Sequence, residues 1–581
     1  MLANYGYIYN NDSDQGEKMR SSRTRSSFIT IPMCVFIVLM APASAMSVTV
    51  TIAPATQYQI FEGWGTSLCW WAETAGKWNE ANRKGLIGAI VDPDTGLGYT
   101  CFRYNIGGGD NPAHTHLSGA RAVPGFKATE TGQYDWTADQ YQRNILLGIA
   151  ARGNNMIFEA FSNSPPWWMT ISECASGNAS GADNLKSAYF GAFADYLSEV
   201  VKHYKDTWGI TFRTVEPFNE PSSGYWKENG GQEGCGFKSQ QSKMIKELGK
   251  QLAAKGLSPA SMVSASDETA LDQAVASIKS YDDSALSYLS QFNSHSYGGW
   301  NYRKTIDSLA KARKKNLWQS ESGPLGKDND ASDITMWMSH VIIQDLRVMK
   351  ANAWIDWQVC DPVDNWRTIE VDDAKQSFKY NKRYYMHAAF SRFIRPGSQI
   401  IASSDTNSVA ALVAGSGNLV VVLRNDASTA KDYTIDLSKC TVSSASARLY
   451  LCSLPGSLTQ LSDVSIVDKK LTFSSPKLSI TTVVIPSGST SVEQSSKSMK
   501  TSANPFVDVG RGVIRFSLPS RSGYLLDIYD NSGRSVMRIH GHPNSLSETI
   551  DLKRRLSANG VYVLTLRQHG FAASRRMAIT R

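Results

Sequence analysis

The sequence predicts an α/β chain organised on a (β/α)8 barrel of the TIM type, with an all-β sandwich side domain and a small C-terminal β domain. Three observations predict it. Between residues 59 and 361 there are eight apolar or β-rich runs, each ending in polar or aromatic residues, and stretches of helical periodicity lie between them. From about Ser398 the helical period disappears and short alternating runs replace it. After a Ser-rich stretch, a further group of short alternating runs closes the chain.

Residues 1–45 read as an export signal. KMRSSRTRSS at 18–27 is basic, 28–42 is largely apolar, and Ala43-Ser44-Ala45 fits a small-residue cleavage site, with Met19 as the start. The apolar stretch, broken by Pro32 and Pro42, is short for a membrane span. Loss of Cys34 with the signal leaves seven of eight cysteines, so one stays unpaired or pairs between chains. Cys440 with Cys452 and Cys174 with Cys235 are candidate bridges, and the connectivity stays open.

Residues 46–60 alternate like a strand and are assigned to the sandwich. The barrel is expected over 61–394, its runs lying at 59–71, 99–110, 155–168, 210–221, 262–268, 289–297, 316–322 and 353–361. Helices are expected over 185–206 and over 239–256, where Gly256 suits a C-terminal cap. The sandwich covers 395–487 and the linker 488–501. The last domain, 502–581, contains DNSG, a hairpin turn signal.

The net charge of +8 invites a polyanion-binding reading, so its location matters. Residues 502–581 hold 12 Lys+Arg against 5 Asp+Glu, and residues 1–45 hold 4 against 3, so 46–501 is neutral. The barrel and sandwich therefore carry no charge signature for nucleic acid, and none is expected as a partner.

Two motifs carry chemistry. TVEPFNEP at 214–221 ends a β-compatible run in Asn219 and Glu220, where Pro221 removes the next N–H and stops pairing. NLWQSESG at 316–323 ends in Glu321 and a glycine. A single Glu beside a turn is ordinarily only solvated, but two of them, on the fourth and seventh runs, suit acid/base and nucleophile work on a glycosidic bond. All 15 tryptophans lie between Trp64 and Trp366. Trp64, Trp70, Trp71, Trp167, Trp168 and Trp357 fall at run ends, where an indole face can stack on a sugar, although core packing explains any one of them equally well.

Asn-Glu-Pro and Glu-Ser-Gly at two strand ends resemble the clan A glycoside hydrolases, and over 47–487 the chain resembles glycoside hydrolase family 30. The opening EGWGTSLCWWAETAG is similar to the form found in its endo-β-1,6-galactanases. The resemblance implies a secreted retaining enzyme that cleaves β-1,6-linked galactan side chains of plant arabinogalactan. It implies Glu220 as acid/base and Glu321 as nucleophile, about 5–5.5 Å apart, with Arg103 favouring an ionised Glu321. Substrate contacts are expected from Trp64, Arg103, Asn105, Asp110, Trp167, Asn219, His295, Tyr297 and Trp357. In run three the chain reads AFSNSPPWW, with Ser162 where many relatives place a tryptophan, so glucosylceramide or xylan specificity does not carry over. Other specificities of the family (β-1,6-glucanase, glucosylceramidase, xylanase) and a non-catalytic carbohydrate-binding surface protein stay open as alternatives.

Residues 502–581 resemble C-terminal sorting domains of exported proteins in the Bacteroidetes and Fibrobacter relatives, the alternative being a β accessory module. This implies release from, or display on, a Gram-negative cell by way of the secretion machinery; separately, a plant cell-wall polysaccharide or oligosaccharide is the expected partner and a monomer the expected state. Glu159, Asp267, Glu268, Asp356 and Asp361 also lie near run ends and are ranked as structural. The GGGD run lacks the Lys-Ser or Lys-Thr of a phosphate loop, His114 and His116 read as loop residues, and no cofactor or obligatory metal is expected.

Overall fold

The computed structural model describes residues 47–153, 155–325, 332–360, 366–453 and 456–487, and segments between 506 and 579. The export signal expected over 1–45, the linker expected over 488–501 and Asp361 lie outside the described residues. The chain divides into two units, Met1–Thr490 and Ser491–Arg581.

In the first unit, strand β1 (Val48–Phe61) is followed by eight parallel strands. They are β2 (Gly63–Ser67), β3 (Cys101–Asn105), β4 (Ile157–Phe161), β5 (Phe212–Glu216), β6 (Met262–Glu268), β7 (Leu289–His295), β8 (Asn316–Ser322) and β9 (Ala353–Asp356). They form a closed barrel in sequence order, β9 pairing back onto β2 from Gly63 with Ala353 to Thr66 with Asp356. Each of the eight predicted runs contains one of these strands. Helices Phe190–Trp208 and Gln241–Ala254 lie between them, and each is left through a glycine in the left-handed region, Gly209 at φ +69° and Gly256 at φ +68°.

The strand period of two divides the side chains between two layers. On β3, Phe102 and Tyr104 join the apolar core while Arg103 turns into the barrel, and Phe158 and Glu159 divide in the same way on β4. The barrel interior is a buried polar network around Glu159. Its carboxylate accepts from Arg103 Nε at 3.1 Å, Thr214 Oγ1 at 2.7 Å, Ser264 Oγ at 3.0 Å, Gln291 Nε2 at 3.0 Å and Asn293 Nδ2 at 2.9 Å. Such a network is stable only when its members are satisfied, and this one saturates its central carboxylate.

The sandwich strands run in the spatial order Ser457–Gln460, Ser446–Ser453, Ser479–Ile485, Leu419–Asn425, Ser408–Leu412, Ser398–Ser403, β1, Lys431–Asp436, Lys470–Ser475. β1 lies antiparallel to Ser398–Ser403 and parallel to Lys431–Asp436, so residues ahead of the barrel help build the domain behind it. The second unit has a three-stranded sheet (Phe506–Gly510, Val513–Ser517, Ser547–Asp551) and a four-stranded one (Ser535–Gly541, Tyr524–Tyr529, Gly560–Gln568, Phe571–Ile579). Ile514, Phe516, Leu526, Ile528, Leu564 and Leu566 form its core.

Two expectations are corrected. Trp64, expected to bind substrate, is 1% exposed; it packs against Phe61, Trp354 and Phe390 and donates its indole N–H to the Ile394 carbonyl at 2.7 Å. The flanking Gly63 and Gly65 take the other face of β2. At Gly65 a Cβ would stand 1.8 Å from the Cys101 carbonyl oxygen, so the bulky ring occupies the outer layer. The candidate bridges do not form either. Cys174, Cys235, Cys440 and Cys452 are free and buried, the Cys174 sulfur lying 3.1 Å from His114 Nδ1, Cys235 facing the Gly236 carbonyl and Cys440 the Ile52 carbonyl.

Trp64→Ala is expected to lower the free energy of unfolding by about 3–5 kcal/mol, the range for emptying a large buried aromatic site. Urea denaturation measures it, and a loss below about 1 kcal/mol would mean that the indole is not core filler.

Candidate active site

Glu220 stands beyond the end of β5, in the left-handed region at φ 49°. Non-glycine residues rarely adopt this backbone, so it needs support from both sides. The Glu220 N–H donates to the Asp267 carbonyl at 2.8 Å, and the Glu220 carbonyl accepts the Trp226 indole N–H at 2.9 Å. Glu321 is the penultimate residue of β8. Each of the two residues is 5% exposed.

His295, at the end of β7, joins them. Its Nδ1 lies 3.0 Å from Glu220 Oε1 and 3.4 Å from Glu321 Oε1, and one oxygen of each carboxylate lies with a His295 nitrogen inside a 4.8 Å group. Glu321 also receives Arg103 Nη1 at 3.3 Å and the Tyr297 hydroxyl at 3.1 Å. Sequence positions 103, 220, 295, 297 and 321 thus meet at one point.

Asp267 organises this point from below. It ion-pairs with Arg103 Nη2, accepts Ser320 Oγ at 2.6 Å and lies 3.3 Å from His295 Nε2. The pairing of β6 with β7 is irregular between Ser266 and Glu268, and Asp267 adopts φ 54° there. Bulges of this kind re-aim a side chain beside a functional site. Arg103 completes its contacts with Glu159 and with the Ser320 carbonyl at 3.1 Å, its guanidinium lying over the Phe161 ring.

The electrostatics follow from burial and these pairs. Burial opposes charge on His295, but Glu321 and Asp267 outweigh it and raise its pKa to about 10. Burial also opposes charge on Asp267, and there Arg103 and His295 win, holding it below the usual carboxylate range. Glu321 behaves differently. Burial pushes it up to about 7, with the Glu220 charge adding to the rise, although His295 and Arg103 pull it down. Arg103 does favour the ionised form, as expected, but burial beside a second carboxyl group is the larger effect. Glu216 is raised well above its ordinary value, by burial first and then by the Asp267 and Glu159 charges. Two cations, Arg103 and His295, therefore stand beside an Asp267 held ionised and a Glu321 that keeps its proton up to about pH 7.

Asn219, next to Glu220 in sequence, is 6% exposed, and its buried Oδ1 has no hydrogen-bond partner among the described residues. Half-buried aromatic residues form the rim: Trp357 packs edge-on against Trp70 at 5.2 Å, and Tyr297 edge-on against Trp366 at 6.3 Å. Trp167 and Asp110 line a cavity of about 210 Å³ with Lys127 and Gly109; neither Glu220 nor Glu321 lines it.

Asn105 is a correction. It is fully buried, its amide donates to Glu233 Oε2 at 2.8 Å and its oxygen accepts the Asn163 N–H at 3.2 Å, which leaves it holding protein and not substrate. Glu233 was not legible: it comes from the loop after β5, also accepts the Gly108 N–H at 2.8 Å, and is pushed up to about 8 by burial. Trp226 and Trp366 were missed likewise, since nothing local marks a loop residue that works by long-range contact. Asp110 uses its carboxylate largely on its own loop, accepting the N–H groups of Asn111, His116 and Leu117.

Comparison with known proteins gives a consistent picture. The family profile described as O-Glycosyl hydrolase family 30 matches residues 47–298. An endo-beta-1,6-galactanase of Hypocrea rufa is 34% identical over 425 residues, 69% of this chain and 86% of that protein. An exo-beta-1,6-galactobiohydrolase of Bifidobacterium longum is 24% identical over 67% of this chain and 35% of its own length. Among solved structures, the catalytic domain of GH30 xylanase C from Talaromyces cellulolyticus superposes with TM-score 0.60 at 21% identity, over 75% of this chain and 99% of that one.

The role of Asp267 can be read from His295. Carboxylates raise the folded-state pKa of this imidazole, so the proton is held from low pH until about 10. In Asp267→Asn one of those charges is gone, and deprotonation is expected about 1–3 pH units lower. Spectra of the ¹⁵N-labelled histidines measure it, and an unmoved midpoint would remove Asp267 from the network.

Proposed function

The chain belongs to O-glycosyl hydrolase family 30 and is a glycoside hydrolase, and on that premise we propose that it is a secreted, retaining endo-β-1,6-galactanase acting on galactan side chains of plant arabinogalactan. The observation that carries the chemistry is the approach of Glu220 and Glu321, oxygen to oxygen within 4.8 Å across His295. A direct nucleophile needs its partner carboxyl at about 5–5.5 Å, whereas an interposed water needs about 6.5–9.5 Å. The close spacing supports retention.

In this reading Glu321 attacks the anomeric carbon as the bond to the departing sugar oxygen breaks, and Glu220 delivers its proton to that oxygen. Water then attacks the glycosyl-enzyme carbon, Glu220 takes the water proton, and Glu321 leaves as carboxylate. Glu321 is read as the nucleophile because it receives donors from Arg103 and Tyr297, which suit a carboxylate, and Glu220 is left as the proton donor. The buried, unpartnered Asn219 oxygen suits a sugar hydroxyl, and Tyr297, Trp357 and Trp366 offer ring faces and edges to the pyranose. The galactan specificity rests on the relationship to the Hypocrea rufa enzyme. Export rests on the basic-apolar start and on the β unit at 502–581, read as a sorting domain.

Incubation with β-1,6-galactan, pustulan and glucuronoxylan side by side tests the substrate. A ladder of galacto-oligosaccharides from the first alone is expected, with the β-anomer released first; faster cleavage of pustulan or of glucuronoxylan would replace the specificity, and an α-anomer the mechanism. Glu321→Gln should fall to background, and Glu220→Gln by about 10²–10⁴-fold; activity equal to that of the unsubstituted chain would end the assignment of either residue. For export, a chain lacking 502–581 should accumulate inside the cell envelope, and undiminished appearance in the medium or on the cell surface would make that unit an accessory module.

A further inference from the structure

Away from the carboxyl pair, the sequence left His114 and His116 as loop residues. The fold supplies what they lacked. Cys174, 58 residues after His116, is brought beneath them, so that one nitrogen of each ring and the Cys174 sulfur lie within 4.8 Å of one another. The closest approach is Cys174 Sγ to His114 Nδ1 at 3.1 Å.

Three further features make this a prepared group. The His116 tautomer is set: Nδ1 faces two acceptors, the His114 carbonyl at 2.9 Å and Asp110 Oδ1 at 3.3 Å, so it carries the hydrogen. Nε2 is left as the lone-pair nitrogen, which accepts from Ser176 Oγ at 2.9 Å. A carboxylate behind a histidine is the arrangement that orients metal-ligating imidazoles and raises their basicity. Cys174 is immobilised: its carbonyl accepts Thr170 Oγ1 at 3.1 Å and its N–H donates to Ser172 Oγ at 3.3 Å. The two loops are tied together by the Asn111 amide, which donates to the Glu173 carbonyl at 3.1 Å.

We propose that His114, His116 and Cys174 bind a borderline-soft divalent cation of the zinc class, distinct from the glycosidic site. Two imidazoles and a thiolate are the donors such ions prefer, whereas calcium and magnesium take oxygen ligands. Binding releases the Cys174 thiol proton to solvent and displaces the Ser176 hydroxyl from His116 Nε2; the fourth position belongs to water, because the Asp110 oxygens are occupied by backbone amides. The ion would fasten the 110–117 loop, whose Asp110 lines the 210 Å³ cavity beside Trp167, to the 170–176 turn. Its task is to hold one wall of the rim, and it does not depend on which sugar is cleaved.

Cobalt(II) is the probe. The full chain, stripped with chelator, is titrated with Co²⁺; one equivalent should produce a sulfur-to-cobalt charge-transfer band in the near ultraviolet with tetrahedral visible bands, both displaced by Zn²⁺. Cys174→Ser should abolish the charge-transfer band, Asp110→Asn should weaken binding by about 10–100-fold, and Cys235→Ser should leave the spectrum unchanged. Absence of the band in the unsubstituted chain, its survival in Cys174→Ser, or its loss in Cys235→Ser would each overturn the site.

Discussion

The structure depends on the buried pair of Arg103 and Asp267. A guanidinium without solvent inside a barrel costs several kcal/mol unless it is paired, and removing one partner of such a pair typically costs about 3–5 kcal/mol. Here the cation is shared among Glu159, Asp267 and Glu321, on three different strands. Glu159 connects it to the polar floor of the barrel, Asp267 to the imidazole, and Glu321 to the carboxyl pair. A single charge therefore ties β3, β4, β6 and β8 together at the level of the carboxyl pair.

That sharing explains why the interior of the barrel is polar. Thr214, Ser264, Gln291 and Asn293 each spend a donor on Glu159, filling the acceptor sites that its pair with Arg103 leaves unmet. Glu216, one turn of the pleat above Thr214, faces the same charges and is driven to the neutral form, with Asn293 at 3.2 Å. The barrel thus holds carboxyl groups in three conditions: ionised at Asp267, neutral at Glu216, and raised to about 7 at Glu321. One kind of side chain is differentiated by neighbours alone.

Much of this was legible in the sequence, for definable reasons. Eight strands followed by polar or aromatic residues were visible because a barrel strand is apolar on its outer face and ends abruptly at its carboxyl end. Glu220 and Glu321 were visible because a proline and a glycine punctuate those ends. Facing was not legible. In a strand buried on both sides, period two separates the faces without saying which is which, so Trp64 and Asn105 were read as rim residues although one fills the outer layer and the other braces a loop. The cysteine pairings failed for a related reason, since parity of a count says nothing of distance. Asp267 was seen as an acid near a strand end, but its reach to both Arg103 and His295 comes from a bulge and a positive φ that no local pattern announces.

The rim obeys a different logic from the floor. The loop after β5 carries Glu220, passes Trp226, whose indole N–H donates to the Glu220 carbonyl, and reaches Glu233, which holds Asn105 and Gly108 at the end of β3. Gly234 lies so close to the Trp226 ring that a Cβ would stand 2.0 Å away, so the two anchor points of the loop are packed into one body. Displacement of the Gly107–Asp110 segment would therefore be felt at the backbone of Glu220. The carboxyl pair is positioned by ion pairs within the barrel, while the cavity wall at Gly108–Asp110 is positioned by one loop that crosses from β5 to β3. Loop sequence can thus reshape the wall with little effect on the charges below, provided that Trp226 and Glu233 keep their places.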